Sequence, residues 1–351
     1  MSATATKKDI RKLSFDQIQA EVEALGEKPF RAKQIWEWLW QKSAHSFEEM
    51  SSLSKITREQ LAEKFDLLPI GISDKQVSND RTIKSAFELH DGHLIEGVLI
   101  PADERMTACV SSQVGCSLSC KFCATGYMDR KRNLDAGEIY DQVVEIGNQA
   151  EQHYQVPLSN IVYMGMGEPL LNYANVLKSI EHITSPEGLG MSPRRITVST
   201  AGIAKMIKKL ADDEVKFNLA VSLHAANDAK RNTIMPINES NSLEALRESL
   251  QYFYKKTRSR ITFEYILFYG FNDSIEDAEE LYQFTKHVPS KVNIIEYNPI
   301  SEATFTKADP RALDKFATYL EERDVTVVVR RSRGKDIDAA CGQLANKSKT
   351  N

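Results

Sequence analysis

The spacing of apolar positions divides the chain in two. Over residues 9–68, SFDQIQAEVEAL places Ser14 ahead of apolar residues three and four apart, and FRAKQIWEWLWQK and SKITREQLAEKF repeat that period. This predicts a small helical module with Ser14 as an N-cap. SAFELH and HLIEGVLIP then alternate or run apolar, as strands do. From Thr107 onward strand-like stretches (TACVSS, NIVYMG, RITVST, FNLAVSLH, RITFEYILF, VNIIEYNP) alternate with helical ones such as AGEIYDQVVEIGNQ and SLEALRESLQYFYKK. Six βα units result, calling for a parallel sheet with right-handed crossovers. Periodicity does not separate a doubly wound sheet from a barrel or open part-barrel. The polar residues do, because they gather at strand ends: residues 165–168 after the second strand, Ser199 at the third, 222–224 at the fourth and Asn298 after the sixth. Converging C-terminal strand ends are where a barrel carries its site.

At 351 residues, 42% hydrophobic and 27% charged, the composition is that of an ordinary globular protein with room for about two domains. No apolar run approaches the ~18 residues of a bilayer span, and MSATATKKDIRK has no apolar signal core, so a cytoplasmic protein with no membrane contact is expected. The net charge of −4 means that any nucleic-acid contact must come from a local patch. Arg330, Arg331, Arg333 and Lys335 form the best candidate, with Arg194, Arg195, Arg31, Lys33 and Lys42 as extensions. The last three interleave with Trp36, Trp38 and Trp40, which read either as a base-stacking face or, at this spacing, as the core of the module.

Cysteine usage is more telling. Four of the five cysteines (Cys109, Cys116, Cys120, Cys123) fall in one short stretch and Cys341 lies near the far end, an odd count that argues for metal or redox chemistry over a disulfide framework. GCSLSCKFCATG sets Cys116, Cys120 and Cys123 as CxxxCxxC, a soft thiolate site for zinc or an iron–sulfur cluster. Three ligands on a four-iron cubane leave one iron open to a small molecule. Phe122, just before the last cysteine, packs over that site or simply fills space.

CxxxCxxC with an aromatic residue before the last cysteine resembles the signature of radical S-adenosylmethionine (SAM) enzymes. CVSSQVGCSLSCKFCATG, MGMGEPLLN, SPRRITVSTAGI, SLHAAND, MPIN and DIDAACGQL also stand in the order found in the RlmN/Cfr family of RNA adenine methyltransferases. The resemblance spans nearly the whole chain. It implies an α/β fold, a radical SAM partial (βα)6 barrel with a small N-terminal helical domain. The expected divisions are a helical accessory, RNA-binding domain with connecting strands at 1–90, a core at 91–340, and a C-terminal catalytic-cysteine segment and tail at 341–351.

Residue by residue, the resemblance assigns Cys116, Cys120 and Cys123 to a [4Fe-4S] cluster. It assigns Gly167, Glu168, Ser199, Ser222, Leu223, His224 and Asn298 to SAM. Glycine allows close backbone approach, and a carboxylate attracts the ammonium of SAM. Cys341 matches the cysteine that is methylated by one SAM and then donates the carbon. Cys109 matches the partner that closes a transient disulfide with it, and Glu96 a proton acceptor. Carbon 2 of adenine is electrophilic, so polar methyl transfer is mismatched and a radical route is needed. The implied activity is formation of 2-methyladenosine in 23S rRNA and a subset of tRNAs by a monomeric enzyme supplied by an electron donor such as flavodoxin or ferredoxin. Methylation of carbon 8 of the same ribosomal adenine, as in resistance-type relatives, and a non-catalytic zinc RNA-binding protein are the alternatives.

Overall fold

Ser14 Oγ accepts from the Gln17 N–H at 3.2 Å while Gln17 Oε1 accepts from the Ser14 N–H at 2.9 Å. This reciprocal cap satisfies two donors that a helix start leaves unpaired. Helix α1 (Phe15–Ala24) begins there and is followed by α2 (Phe30–Trp40) and α3 (Lys55–Lys64). The computed structural model describes residues 7–346; the outermost parts of the expected N- and C-terminal divisions lie outside the described residues. The three helices bury Ile18, Val22, Ile35, Leu39, Trp40 and Leu61.

The module is clamped to two helices of the core, α4 (Ala136–Tyr154) and α5 (Tyr173–Thr184). Trp40 stacks on His182 of α5 with ring centroids 3.6 Å apart, and its carbonyl accepts from Tyr140 Oη of α4 at 2.5 Å. Arg11, itself buried, pairs with Asp141 of α4 at 2.7 Å and with Asp9 at 3.0 Å. The tryptophans therefore resolve as core. Trp40 is fully buried, Trp36 and Trp38 pack against the core, and Lys42 lies over the Trp38 ring.

Ten strands make one sheet: β1 (Gly71–Val77), β2 (Ile83–Glu88), β3 (Leu94–Ala102), β4 (Arg105–Cys109), β5 (Asn160–Tyr163), β6 (Ile196–Thr200), β7 (Asn218–Ser222), β8 (Ile261–Leu267), β9 (Ser290–Glu296) and β10 (Thr326–Arg330). They lie across the sheet in chain order. Pairings from β1 to β4 are antiparallel, and those from β4 to β10 are parallel. The crossovers carry α4, α5, α6 (Ala204–Asp212), α7 (Asp228–Ile234), α8 (Leu243–Thr257), α9 (Ile275–Thr285) and α10 (Pro310–Glu321). Strand β8 is buried along its whole length, as expected of a parallel strand covered on both faces.

Two features depart from the sequence reading. A further parallel strand, β10, follows the six expected units; as an edge strand with Thr326, Val328, Val329 and Arg330 exposed, it shows no burial alternation. The expected boundary at residue 90 falls between β2 and β3, which pair with each other, so the strands from Gly71 onward join the sheet of the core. The sheet curls far enough for its two ends to meet. The Gly334 N–H, just past β10, donates to Asp80 Oδ2 at 2.9 Å in the β1–β2 turn. Among the described residues no helix is long and apolar enough to cross a membrane.

Candidate active site

The loop after β4 carries Cys116, Cys120 and Cys123, all half-buried. They pack against an apolar cluster that includes Leu118, Phe122, Ile234, Met235, Phe268 and Tyr297. Burial pushes the Cys116 thiol up to about 11, and it raises Cys120 and Cys123 as well; the charges of the neighbouring thiols raise Cys116 and Cys120 further. The three are therefore mutually close. Yet no three metal-binding side chains among the described residues converge on one ion. Phe122 is buried and meets the His224 ring edge-on at 4.7 Å, so it belongs to the wall of the site.

The remaining candidates stand at the ends of successive strands. After β5, Gly167 has φ +94°, and a Cβ there would lie 2.5 Å from Gln113 Cβ, so the position is closed to larger residues. Glu168 is buried rather than solvated. Its Oε1 accepts from the Leu170 N–H at 3.0 Å and its Oε2 from the Ala201 N–H at 2.8 Å, while burial raises its pKa. Ser199 is buried on β6. Ser222 ends β7, and the buried Leu223 and His224 follow it. His224 Nδ1 accepts from the Ile266 N–H at 3.1 Å, and burial lowers its pKa to about 3. The ring is thus neutral, with its proton on Nε2 as a donor. Asn298, after β9, is buried and donates from Nδ2 to the carbonyl of Cys341 at 3.3 Å.

Cys109 ends β4, buried, and Cys341 returns from the far end of the chain to the same mouth. Burial is the main reason that Cys109 rises to about 12, with Cys341 the next largest cause, so the two thiols are neighbours. Cys341 is exposed to solvent, with protein packed around it. Enclosure lifts it to about 11 against the pull of Arg330, and Cys123 adds to the rise. All five cysteines are free thiols. Glu96 is buried on β3, where Lys84 Nζ lies 3.4 Å from its Oε1 and the Ala345 N–H donates to its Oε2 at 2.8 Å.

Sequence reasoning missed Arg231. Fully buried, it donates to the carbonyls of Ala201 at 2.6 Å, Leu223 at 3.0 Å and Ser222 at 3.2 Å, tying the loops after β6 and β7 together close to Cys120. Its only sequence signal was its place just before MPIN. The expected basic patch is partly neutralised: Arg330 reaches Glu264 at 3.3 Å and Lys335 reaches Glu296 at 2.8 Å.

Residues 8–67 match the model of the ribosomal RNA large subunit methyltransferase N-terminal domain, and residues 110–285 that of the radical SAM superfamily. A probable dual-specificity RNA methyltransferase RlmN of Cytophaga hutchinsonii is 63% identical over 99% of this chain and 96% of its own. A dual-specificity RNA methyltransferase RlmN of an Anaeromyxobacter species is 44% identical over 96% and 90%. The crystal structure of a radical SAM methyltransferase from Sphaerobacter thermophilus superposes with a TM-score of 0.91 at 38% identity, covering 96% of this chain and 99% of that one. With thiols, polar strand ends and full-length similarity all in accord, the chain belongs to the RlmN family of radical SAM RNA methyltransferases.

Proposed function

We propose that this enzyme methylates carbon 2 of a specific adenosine in 23S rRNA and in a subset of tRNAs, through a methylated cysteine and two SAM molecules per turnover. The observation that carries the reading is that the Cys341 segment, held by Asn298 Nδ2 on the Cys341 carbonyl and the Ala124 N–H on the Gly342 carbonyl, lies against the CxxxCxxC loop near Cys109 at the end of β4. The [4Fe-4S] cluster and SAM supply, when bound, methyl groups and a one-electron route to a carbon radical. Cys116, Cys120 and Cys123 hold the cluster. Gly167, with positive φ and packed against Gln113, lets the loop that receives the methionine end of SAM make its turn, and Glu168, fixed by two backbone N–H groups, faces the ammonium of SAM. Ser199, Ser222, Leu223, neutral His224 and Asn298 supply the remaining polar contacts.

The Cys341 sulfur accepts the methyl group and carries the carbon to adenine. The Cys109 thiolate then attacks the Cys341 sulfur. Once the methyl group has lost a hydrogen atom and the adduct an electron and a proton, the bond to the methylene carbon breaks with its electron pair passing into the base, that carbon takes up a proton, the methylated base leaves, and a disulfide remains for reduction. We place the division between accessory and core domains near residue 68, where the module's helices end and the sheet begins. A cleft of about 650 Å³ beside the cluster loop is lined by Cys116, Tyr127, Arg130 and Lys131. Asp129 in the same lining pairs with Lys131 at 3.6 Å, which leaves Arg130 as the cation that would meet an acidic one-electron carrier such as flavodoxin or ferredoxin.

Nucleoside mass spectrometry of rRNA and tRNA from cells with and without the gene tests the function. The expected result is loss of 2-methyladenosine from both pools and its return with the wild-type gene. Loss of 8-methyladenosine instead would move the chain to the resistance-type activity.

A further inference from the structure

Cys341 lies on a segment with no regular secondary structure beyond one short turn, and side chains from the opposite end of the sheet hold it in place. Upstream, the Asp336 carboxylate accepts from Ser78 Oγ at 2.5 Å and from the Asn79 N–H at 3.0 Å, both in the β1–β2 turn. Downstream, Glu96 Oε2 accepts from the Ala345 N–H at 2.8 Å and the Asn346 N–H at 3.1 Å, while its other oxygen faces Lys84. Between these anchors the Gly342 carbonyl accepts from the Ala124 N–H at 2.7 Å. Gly342 has φ +85°, and a Cβ there would come within 3.3 Å of the Phe122 carbonyl.

Strand register adds a second observation. Lys84 pairs with Val98, and Val98 with Cys109. Glu96 is two residues from Val98 on the same strand, so Lys84, Glu96 and Cys109 share one face of the sheet. As a diagonal neighbour, Glu96 stands about 7–8 Å from Cys109. The carboxylate that grips the segment just beyond Cys341 is thus built beside the thiol that Cys341 must meet.

We propose that Asp336 and the Lys84–Glu96 pair are positioning residues, which hold residues 334–346 as a strap across the barrel mouth and so set the Cys341 sulfur against Cys109. The proposal rests on the reading of these two thiols as the reacting pair. It gives Glu96 a role through the strap: a cation and two backbone N–H groups engage its oxygens, where the family resemblance had implied a proton acceptor.

The test uses holoenzyme reconstituted from cluster-free protein without SAM, equilibrated anaerobically in glutathione buffers of increasing oxidised fraction. Each Cys109–Cys341 disulfide formed converts one glutathione disulfide into two glutathione thiols, and peptide mass mapping reads the fraction joined. The equilibrium gives the effective concentration of one thiol at the other, a quantity that a merely structural role would leave unchanged. Asp336→Ala and Glu96→Gln are each expected to lower it about tenfold or more while iron and sulfide content hold, and in Asp336→Ala the melting temperature holds as well. Asp336 is exposed, so its variant separates the strap from folding of the core. Wild-type values in both variants overturn the strap. Loss of turnover in Glu96→Gln with an unchanged thiol equilibrium also overturns it, in favour of proton transfer. Absence of the disulfide in wild type at every buffer ratio overturns the reacting-pair reading itself, and the strap with it.

Discussion

Burial by surrounding protein raises both Cys109 and Cys341, but solvent reaches only Cys341. Since the thiolate is the nucleophile, both thiols stay sluggish at neutral pH. Iodoacetamide should label Cys341 first, at a rate that still climbs above pH 9, and leave Cys109 unlabelled until the fold opens. Peptide mapping across a pH series checks this, and equal labelling of the two at pH 8 would contradict the arrangement. The cluster cysteines should behave as a unit: alanine at Cys116, Cys120 or Cys123 removes one anchor and should cost iron, sulfide and SAM cleavage together, as iron and sulfide assays on anaerobically purified protein would show. These roles are legible in sequence because CxxxCxxC is local. Arg231 is not, because its partners Ala201 and Leu223 lie in other loops and become neighbours only when β6 and β7 pair.

At the scale of elements, the helical module is held to the barrel by buried polar groups as well as by area. Arg11 with Asp9 and Asp141 forms a buried ionic cluster, and removing its cation leaves two carboxylates facing each other in the interior. Arg11→Ala should therefore destabilise the protein by about 3–5 kcal/mol, measurable as a lower urea midpoint. His182, stacked on Trp40, has its pKa lowered by burial from 6.5 to about 3. A depressed histidine favours the folded state above its unfolded pKa and loses that contribution as pH falls from about 6.5 towards 3. Stability should decline below pH 6.5, and His182→Phe, which keeps a ring on Trp40 but cannot titrate, should decline less steeply; parallel slopes in urea titrations would remove His182 as the cause. Helices such as α1 were readable because caps and period are local. Strands β1 and β10 were not, since both are sheet edges exposed along most of their length, and a half-paired strand carries little of the alternation that burial imposes.

For the molecule as a whole, the curl of the sheet brings its last strand, its first turn and the Cys341 segment to one rim. The basic residues just past β10 stand on that rim, beside the proposed carbon donor, where an RNA phosphate backbone would pass. Their charges are not equal. Glu264 holds Arg330 and Glu296 holds Lys335, whereas Arg331 and Arg333 are exposed and have no ion-pair partner among the described residues. A phosphate contact from Arg331 or Arg333 releases counterions without first breaking a protein ion pair, and each such contact contributes about one to the slope of log affinity against log salt. Arg331→Ala with Arg333→Ala should therefore flatten the salt dependence of binding to a ribosomal RNA fragment by about two. Arg330→Ala with Lys335→Ala should change it less, because Glu264 and Glu296 already compensate those cations. Binding isotherms at several salt concentrations separate the pairs. A larger change from Arg330 and Lys335 would show that RNA displaces the glutamates and that the rim reorganises on binding, while an unchanged slope in both double variants would move the RNA contact to another face.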